Sequence, residues 1–248
     1  MNVNHLPSFA QGYRALVFGA TGGIGAALVS ALSADPRCAV VFAAGRRTMA
    51  GAPKVRPLRF ALDDEASIES CVAQATQGGA LDLVIVATGL LHDERIKPEK
   101  SWAALEKEAL QQAFLVNAIG PALIAKHALG HLRRDAKSAF VGLSARVGSI
   151  EDNRLGGWHA YRASKAALNM LVKTCAIELA RRNPDAICAS LHPGTVETPL
   201  SAPFQSGAKR QTRLAPEESA ASLLKVVDRL TPADTGRLWA WDGAAIPF

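Results

Sequence analysis

No two of the four cysteines (Cys38, Cys71, Cys175 and Cys188) stand close enough to make a C-x-x-C pair. Scattered through mostly apolar surroundings, they read as buried free thiols in a reducing compartment, not as metal ligands or disulfide partners. No metal site is expected, and a cytoplasmic location is the default. No apolar run reaches the ~18 residues that a membrane span needs. The first twelve residues, MNVNHLPSFAQG, lack both a basic n-region and an apolar h-region, so no signal peptide and no membrane partner are predicted. Aromatic residues make up only 6% of the chain, and the basic residues behind its formal charge of +6 are dispersed, which argues against a nucleic-acid surface. Two basic clusters remain. GRR at 45–47 suits a small anionic ligand, and KRQTR at 209–213 suits a solvated loop. Internal repeats and low-complexity linkers are missing too. The 248 residues, 49% hydrophobic, suffice for one α/β domain with a sizeable core, so a single domain over residues 1–248 is expected.

What is present is an alternation. Short β-rich apolar runs are followed by longer helical patterns. YRALVF (13–18), CAVVFAA (38–44), KVRPLRFAL (54–62), LDLVIVAT (81–88), SAFVGLS (138–144) and AICASLH (186–192) read as strands. Helical patterns occupy 22–34, DEASIESCVAQAT with Asp63 or Asp64 as N-cap, 101–134, 158–182 and 216–230, before a last short strand near RLWAW. Such alternation predicts an α/β fold, a doubly wound parallel sheet of Rossmann type with helices on both faces. In such sheets ligands bind beyond the carboxyl ends of the strands, so functional residues should fall there.

FGATGGIG follows the first strand and opens the first helix, placing Gly19, Gly23 and Gly25 as G-x-x-x-G-x-G. Glycine permits a tight turn and close backbone approach to a pyrophosphate, and the helix N-terminus offers unpaired N–H groups to it. The end of the second strand discriminates between dinucleotides. A site for NAD(H) usually carries an acid about 20 residues on, to hold the ribose 2′-hydroxyl. Here the chain reads AAGRRT, with Arg46 and Arg47 in place of an acid. A guanidinium pairs with a 2′-phosphate by charge and bidentate hydrogen bonds, so NADP(H) is expected as the preferred cofactor and NAD(H) as the alternative.

The order glycine loop, Asn117, Ser144, Tyr161-x-x-x-Lys165 and HPGTVETP resembles the single-domain branch of the short-chain dehydrogenase/reductases over nearly the whole chain from about residue 13. The ending WAWDGAAIPF is similar to that of the C-factor-like carbonyl reductases. The resemblance implies a catalytic set of Asn117, Ser144, Tyr161 and Lys165. Tyr161 would be the general acid/base, Ser144 would hold the substrate oxygen, and Asn117 would interrupt a helix and hold a water that relays protons through Lys165. A phenol has a pKa of ~10. Lys165, one turn along the same helix face, and an oxidised nicotinamide would together lower it by roughly two to three units. The resemblance further implies cofactor contacts from Gly19, Thr21, Gly23, Ile24 and Gly25 and from Arg46 and Arg47. Asp63, at the end of the third strand, would contact the adenine, with helix capping as its rival role. Ala87 and Gly89, Tyr161 and Lys165, and Pro193, Gly194, Val196 and Thr198 complete the set. Residues about 199–214 would form a substrate lid.

The chain departs from the family at two places. After the fourth strand the usual N-N-A-G is replaced by VATGLL, so an asparagine that helps to tie adjacent strands is missing, and a modest loss of stability is expected. Gly22 stands where some NADP-specific members carry a basic residue, leaving the 2′-phosphate to Arg46 and Arg47. His159 is tempting as a base, but two helical residues rotate by about 200°, so it faces away from Tyr161. Trp158 and Leu155 are candidates to line a substrate pocket. The leading expectation is an NADP(H)-dependent oxidoreductase for a small-molecule carbonyl or alcohol, assembled as a homodimer or homotetramer through the long helices at about 101–134 and 158–182. A cofactor-binding regulatory or signalling protein with little turnover is the second reading.

Overall fold

The computed structural model describes residues 5–201 and 213–248. Eight strands form one sheet in the order β10-β9-β6-β5-β4-β1-β2-β3. They are β1 (Tyr13–Phe18), β2 (Cys38–Gly45), β3 (Val55–Arg59), β4 (Leu83–Val86), β5 (Ser138–Leu143), β6 (Ala186–His192), β9 (Leu238–Ala240) and β10 (Ala245–Ile246). All neighbours pair parallel except β10, which runs antiparallel to β9. Two further strands, β7 (Thr195–Val196) and β8 (Arg213–Leu214), pair with each other outside this sheet. The chain reverses direction of growth between β1 and β4, the switch point at which such sheets bind nucleotides.

Helices α1 (Gly23–Ala34), α2 (Glu65–Thr76), α3 (Lys107–Phe114), α4 (Gly120–Ala128), α5 (His159–Ala180) and α6 (Pro216–Arg229) cover both faces. On one face, Leu28 and Leu32 of α1 and Leu223 and Leu224 of α6 pack on Ala15, Val17 and Val141. On the other, Ile68 of α2, Ile124 of α4 and Leu168 and Val172 of α5 pack on Leu16, Phe18 and Phe140. Alternate strand residues serve alternate faces, and each such aliphatic or aromatic side chain contributes on the order of 1.5–3 kcal/mol by leaving water. Cys38, Cys71 and Cys188 are buried, Cys175 is half-buried, and all four are free thiols.

Three local expectations are corrected. Strand β3 ends at Arg59, so Asp63 does not end it but lies in the following loop. The cap of α2 is Asp64, whose carboxylate accepts the Ser67 N–H at 3.3 Å, and Asp63 has no capping duty. The long helical region expected over about 101–134 starts only at Lys107, and its irregular turn falls at Asn117, as the resemblance implied. A short 3₁₀ turn (Trp102–Ala104) precedes α3, and a π turn (Leu115–Ile119) separates α3 from α4. Pro121 explains the π turn, because its ring nitrogen has no N–H to donate to the Asn117 carbonyl and its ring crowds that turn. By length and composition, the continuous helical run Lys107–His131 could cross a membrane, with mean hydropathy 1.3 over its most apolar window, contrary to the reading that no stretch is apolar enough. Its apolar character has another explanation in this fold: Ile124, Ala125 and Ala128 are buried in the sheet-facing core, and Asn117 sits buried midway along it.

Candidate active site

The carboxyl ends of β1, β4, β5 and β6 gather the residues singled out in the sequence. Gly19 closes β1 in the left-handed region at φ +81°, and a Cβ there would lie 2.8 Å from the carbonyl carbon of Ala87. Only glycine lets β1 and the segment after β4 approach this closely. A Cβ on Gly25 would lie 2.1 Å from the Gly19 oxygen, so the tightness of the loop depends on both residues. No side chain caps α1, and its first turn holds no acid. The positive end of that helix, bearing Gly23, Ile24 and Gly25, is therefore free for an anion. A Cβ on Gly23 would meet the Thr198 methyl at 2.8 Å, so the loop after β1 and the loop after β6 are in contact. Thr21 packs on Gly45, the last residue of β2, and Arg46 and Arg47 stand exposed just beyond it. Gly194 is left-handed at φ +82° and packs on Trp241, while the preceding Pro193 carbonyl accepts the Ser219 hydroxyl at 2.8 Å. Val196 is held in β7 against β8. Of the predicted lid, residues 202–212 lie outside the described residues, as does most of the second basic cluster.

Tyr161 and Lys165 lie one turn apart on α5. The Lys165 ammonium nitrogen is 5.9 Å from the centre of the Tyr161 ring and donates to the Leu143 carbonyl at 2.7 Å. The lysine is 3% exposed, and this burial pushes its pKa down to about 7. Tyr161 keeps part of its surface open, yet the protein crowded round the phenol pushes its pKa up to about 12. Desolvation by burial is the cause of both shifts. Ser144 directly follows β5. Its N–H donates to the Leu191 carbonyl at 2.7 Å, while its buried hydroxyl has no hydrogen-bond partner among the described residues.

Asn117 lies in the π turn, fully buried. Its Nδ2 donates to the Leu90 carbonyl at 2.8 Å and to the Ser164 hydroxyl at 3.0 Å, and its Oδ1 accepts the Leu90 N–H at 2.8 Å. These bonds reach the segment after β4, where the family's asparagine is lacking; in that segment Thr88 has a buried hydroxyl without a partner among the described residues. A Cβ on Gly89 would lie 3.8 Å from both the Asn117 Oδ1 and the Lys165 nitrogen. Asn117 and Lys165 thus meet beside Gly89, and Lys165 holds the carbonyl of Leu143, the residue before Ser144, while Asp63 and the two arginines stand exposed at the edge beyond β2 and β3.

The sequence did not signal Glu99. Only 5% exposed, it takes the Ala160 N–H on its carboxylate at 3.3 Å and the Trp158 N–H on its backbone carbonyl at 2.5 Å. Trp158 is the one non-glycine residue among those described with positive φ, at +53°, a conformation costing a bulky residue about 1–3 kcal/mol. Leu155, by contrast, is 91% exposed. His159 opens α5 half-buried, its Nδ1 without a partner among the described residues.

Residues 13–209 match the family model described as short chain dehydrogenase. The chain belongs to the short-chain dehydrogenase family. An uncharacterized oxidoreductase of Schizosaccharomyces pombe is 29% identical to this dehydrogenase over 94% of the chain and 96% of the relative. The C-signal protein of Myxococcus xanthus is 33% identical over 59% of the chain and 85% of the relative. The NADPH-bound carbonyl reductase from chicken fatty liver superposes with a TM-score of 0.82 at 24% identity, covering 97% of this chain and 96% of its own. The dehydrogenase is an oxidoreductase with the fold of the carbonyl reductases.

Proposed function

We propose that the chain is an NADP(H)-dependent carbonyl reductase or alcohol dehydrogenase with Tyr161 as its general acid/base. The observation that carries this reading is the convergence at Gly89, where Asn117 and Lys165 come within 3.8 Å of one point beside Tyr161. The residues at the strand ends fit a phosphorylated dinucleotide. Gly19, Gly23 and Gly25 form a cradle that a Cβ would fill, an uncapped helix end faces it, and Arg46 and Arg47 replace the acid that would repel a 2′-phosphate. NADPH held there would supply a hydride from its nicotinamide C4. The NADPH carried by the chicken carbonyl reductase supports the same cofactor here.

The roles of the side chains follow. A phenol with its pKa near 12 is protonated at neutral pH and so is ready to give its proton to a carbonyl oxygen. The Ser144 hydroxyl, otherwise unpaired, holds that oxygen. Lys165, poised about 7, exchanges protons at neutral pH and returns one to Tyr161. The substrate is a small carbonyl or alcohol, and Met170 and Ile177, exposed on α5, support assembly into a homo-oligomer. A panel of aldehydes, ketones and quinones followed by NADPH absorbance tests the reading. Consumption of NADPH with at least one of them is expected, and its absence across the panel would refute it. The similarity to the C-signal protein favours, as second reading, a signalling role with little turnover; tight NADPH binding without turnover in that panel would select it.

A further inference from the structure

The entry to the helix that carries Tyr161 is unusual. Gly156, Gly157 and Trp158 are left-handed in succession, with φ of +64°, +65° and +53°. The first two are glycines, for which this is free, but the third is a tryptophan, for which it is not. Such a conformer persists only where its surroundings over-determine it. Helix α5 has no side-chain cap of its own and no acid in its first turn. Both functions come from Glu99, far back in the chain. Its backbone carbonyl takes the Trp158 N–H at 2.5 Å, and its carboxylate takes the Ala160 N–H at 3.3 Å. A carboxylate at a helix N-terminus is favoured by the dipole, and its burial strengthens the bond. Glu99 thus grips the chain on both sides of His159.

The grip has a consequence at the site. The Trp158 indole stands edge-on to Tyr161, with ring centres 6.3 Å apart and planes at 70°. Glu99 and Tyr161 also line one cavity with Leu90, Leu91, Ile96 and Ala113, of about 10 Å³, enough for a single water. An aromatic wall beside the proton donor would favour a carbonyl compound that presents a ring to it, since offset and edge-to-face ring pairs gain more than area burial alone.

We propose that Glu99 is a positioning residue that locks Trp158 left-handed, and that the indole so placed makes the site select aryl carbonyl compounds over small aliphatic ones. The selectivity rests on the carbonyl-reductase reading above; the lock does not. With the full-length protein and NADPH, kcat and KM are measured for acetophenone and for propanal. Trp158→Gly, which adopts the left-handed backbone freely, should lower the acetophenone-to-propanal ratio of kcat/KM by about two- to tenfold. Glu99→Ala should lower the same ratio through the acetophenone KM, with the NADPH KM unchanged. Glu99→Gln, which keeps an acceptor for Ala160, should restore most of it. In the Trp158→Gly background, Glu99→Ala should leave the ratio where it is. A full additive loss there, or an unchanged ratio in either single variant, overturns the proposal. Amide hydrogen exchange over residues 156–161 reads the lock without turnover. Slow exchange at Ala160 in the wild type and fast exchange in Glu99→Ala are expected, and equal protection overturns the lock. If the wild type reduces neither compound, the reductase reading and the selectivity fail together, while the exchange experiment still decides the lock.

Discussion

Asn117 treats Leu90 as a neighbouring strand would, taking its N–H and giving to its carbonyl, each at 2.8 Å. One buried amide thereby fastens the helix containing the π turn to the segment after β4. Asn117→Ala would leave both Leu90 groups short of a partner inside the protein, while the Ser164 hydroxyl keeps its bond to the Tyr161 carbonyl. A loss of about 2–4 kcal/mol is expected from two or more broken buried hydrogen bonds, read by urea denaturation. A loss under 1 kcal/mol would mean that the backbone finds other partners.

Tyr161→Phe removes only the hydroxyl from a ring that otherwise keeps its place beside Trp158. Turnover should fall by roughly 10²–10⁴-fold, the usual weight of a general acid, while NADPH affinity by fluorescence titration stays within about twofold. Undiminished turnover would remove Tyr161 from the mechanism.

Lys165 carries a pH signature that can be read without substrate. Burial lowers its pKa to about 7, against ~10.4 for the unfolded chain. Between these values the unfolded chain binds more protons than the folded one, so this group makes stability rise with pH from about 7 to about 10. Below 7 both states hold the proton and the burial penalty is present in full. Lys165→Met should abolish that slope. The unfolding free energy of the variant minus that of the wild type should therefore shrink steadily from pH 7 to 10, by ~2 kcal/mol or more. A difference independent of pH would mean that the lysine is not desolvated.

Arg46 stands exposed just past β2, next to the glycine loop. Arg46→Asp should shift the ratio of kcat/KM for NADPH over NADH toward NADH by roughly 10–100-fold, the value of a lost hydrogen bond to a charged group. A ratio left in place would show that the 2′-phosphate is held elsewhere, Arg47 being the next residue to change.

Met170 and Ile177 are 67% and 50% exposed, seven residues apart on one face of α5, with Ile119 of the π turn 47% exposed. If the protein assembles through its long helices, Met170→Glu with Ile177→Glu should halve its mass by light scattering and leave its circular dichroism unchanged. An unaltered mass would place any interface on another surface.

The outline of this protein is written in short-range patterns. Largely apolar runs marked β1, β4, β5 and β6 to within a residue or two, because a strand covered on both faces has few polar positions. The Gly19, Gly23 and Gly25 loop and the Tyr161–Lys165 pair were legible for a similar reason: a tight turn and a helical repeat are local geometry. Pro121, four residues after Asn117, carried the signal for the π turn that the helical pattern concealed. The N-cap of α2 was ambiguous between Asp63 and Asp64 because either spacing serves, and only the hydrogen bond to Ser67 decided it.

The remainder needed the fold. The partners of Asn117 lie 27 and 47 residues away, and those of Glu99 about 60 residues away; no periodicity links such positions. Charge balance is likewise a tertiary property. The sequence placed a lysine near a phenol, but only the packing of α5 against β5 buried both, which by itself raises the pKa of Tyr161 and lowers that of Lys165. Sequence by itself determined the family, the parallel strands and the candidate site residues, since these follow from neighbours along the chain. Tertiary structure alone decided the burial of Tyr161 and Lys165, the left-handed turn at Trp158 and the hydrogen bonds of Glu99 to the start of α5, since burial and long-range hydrogen bonds exist only once distant segments meet.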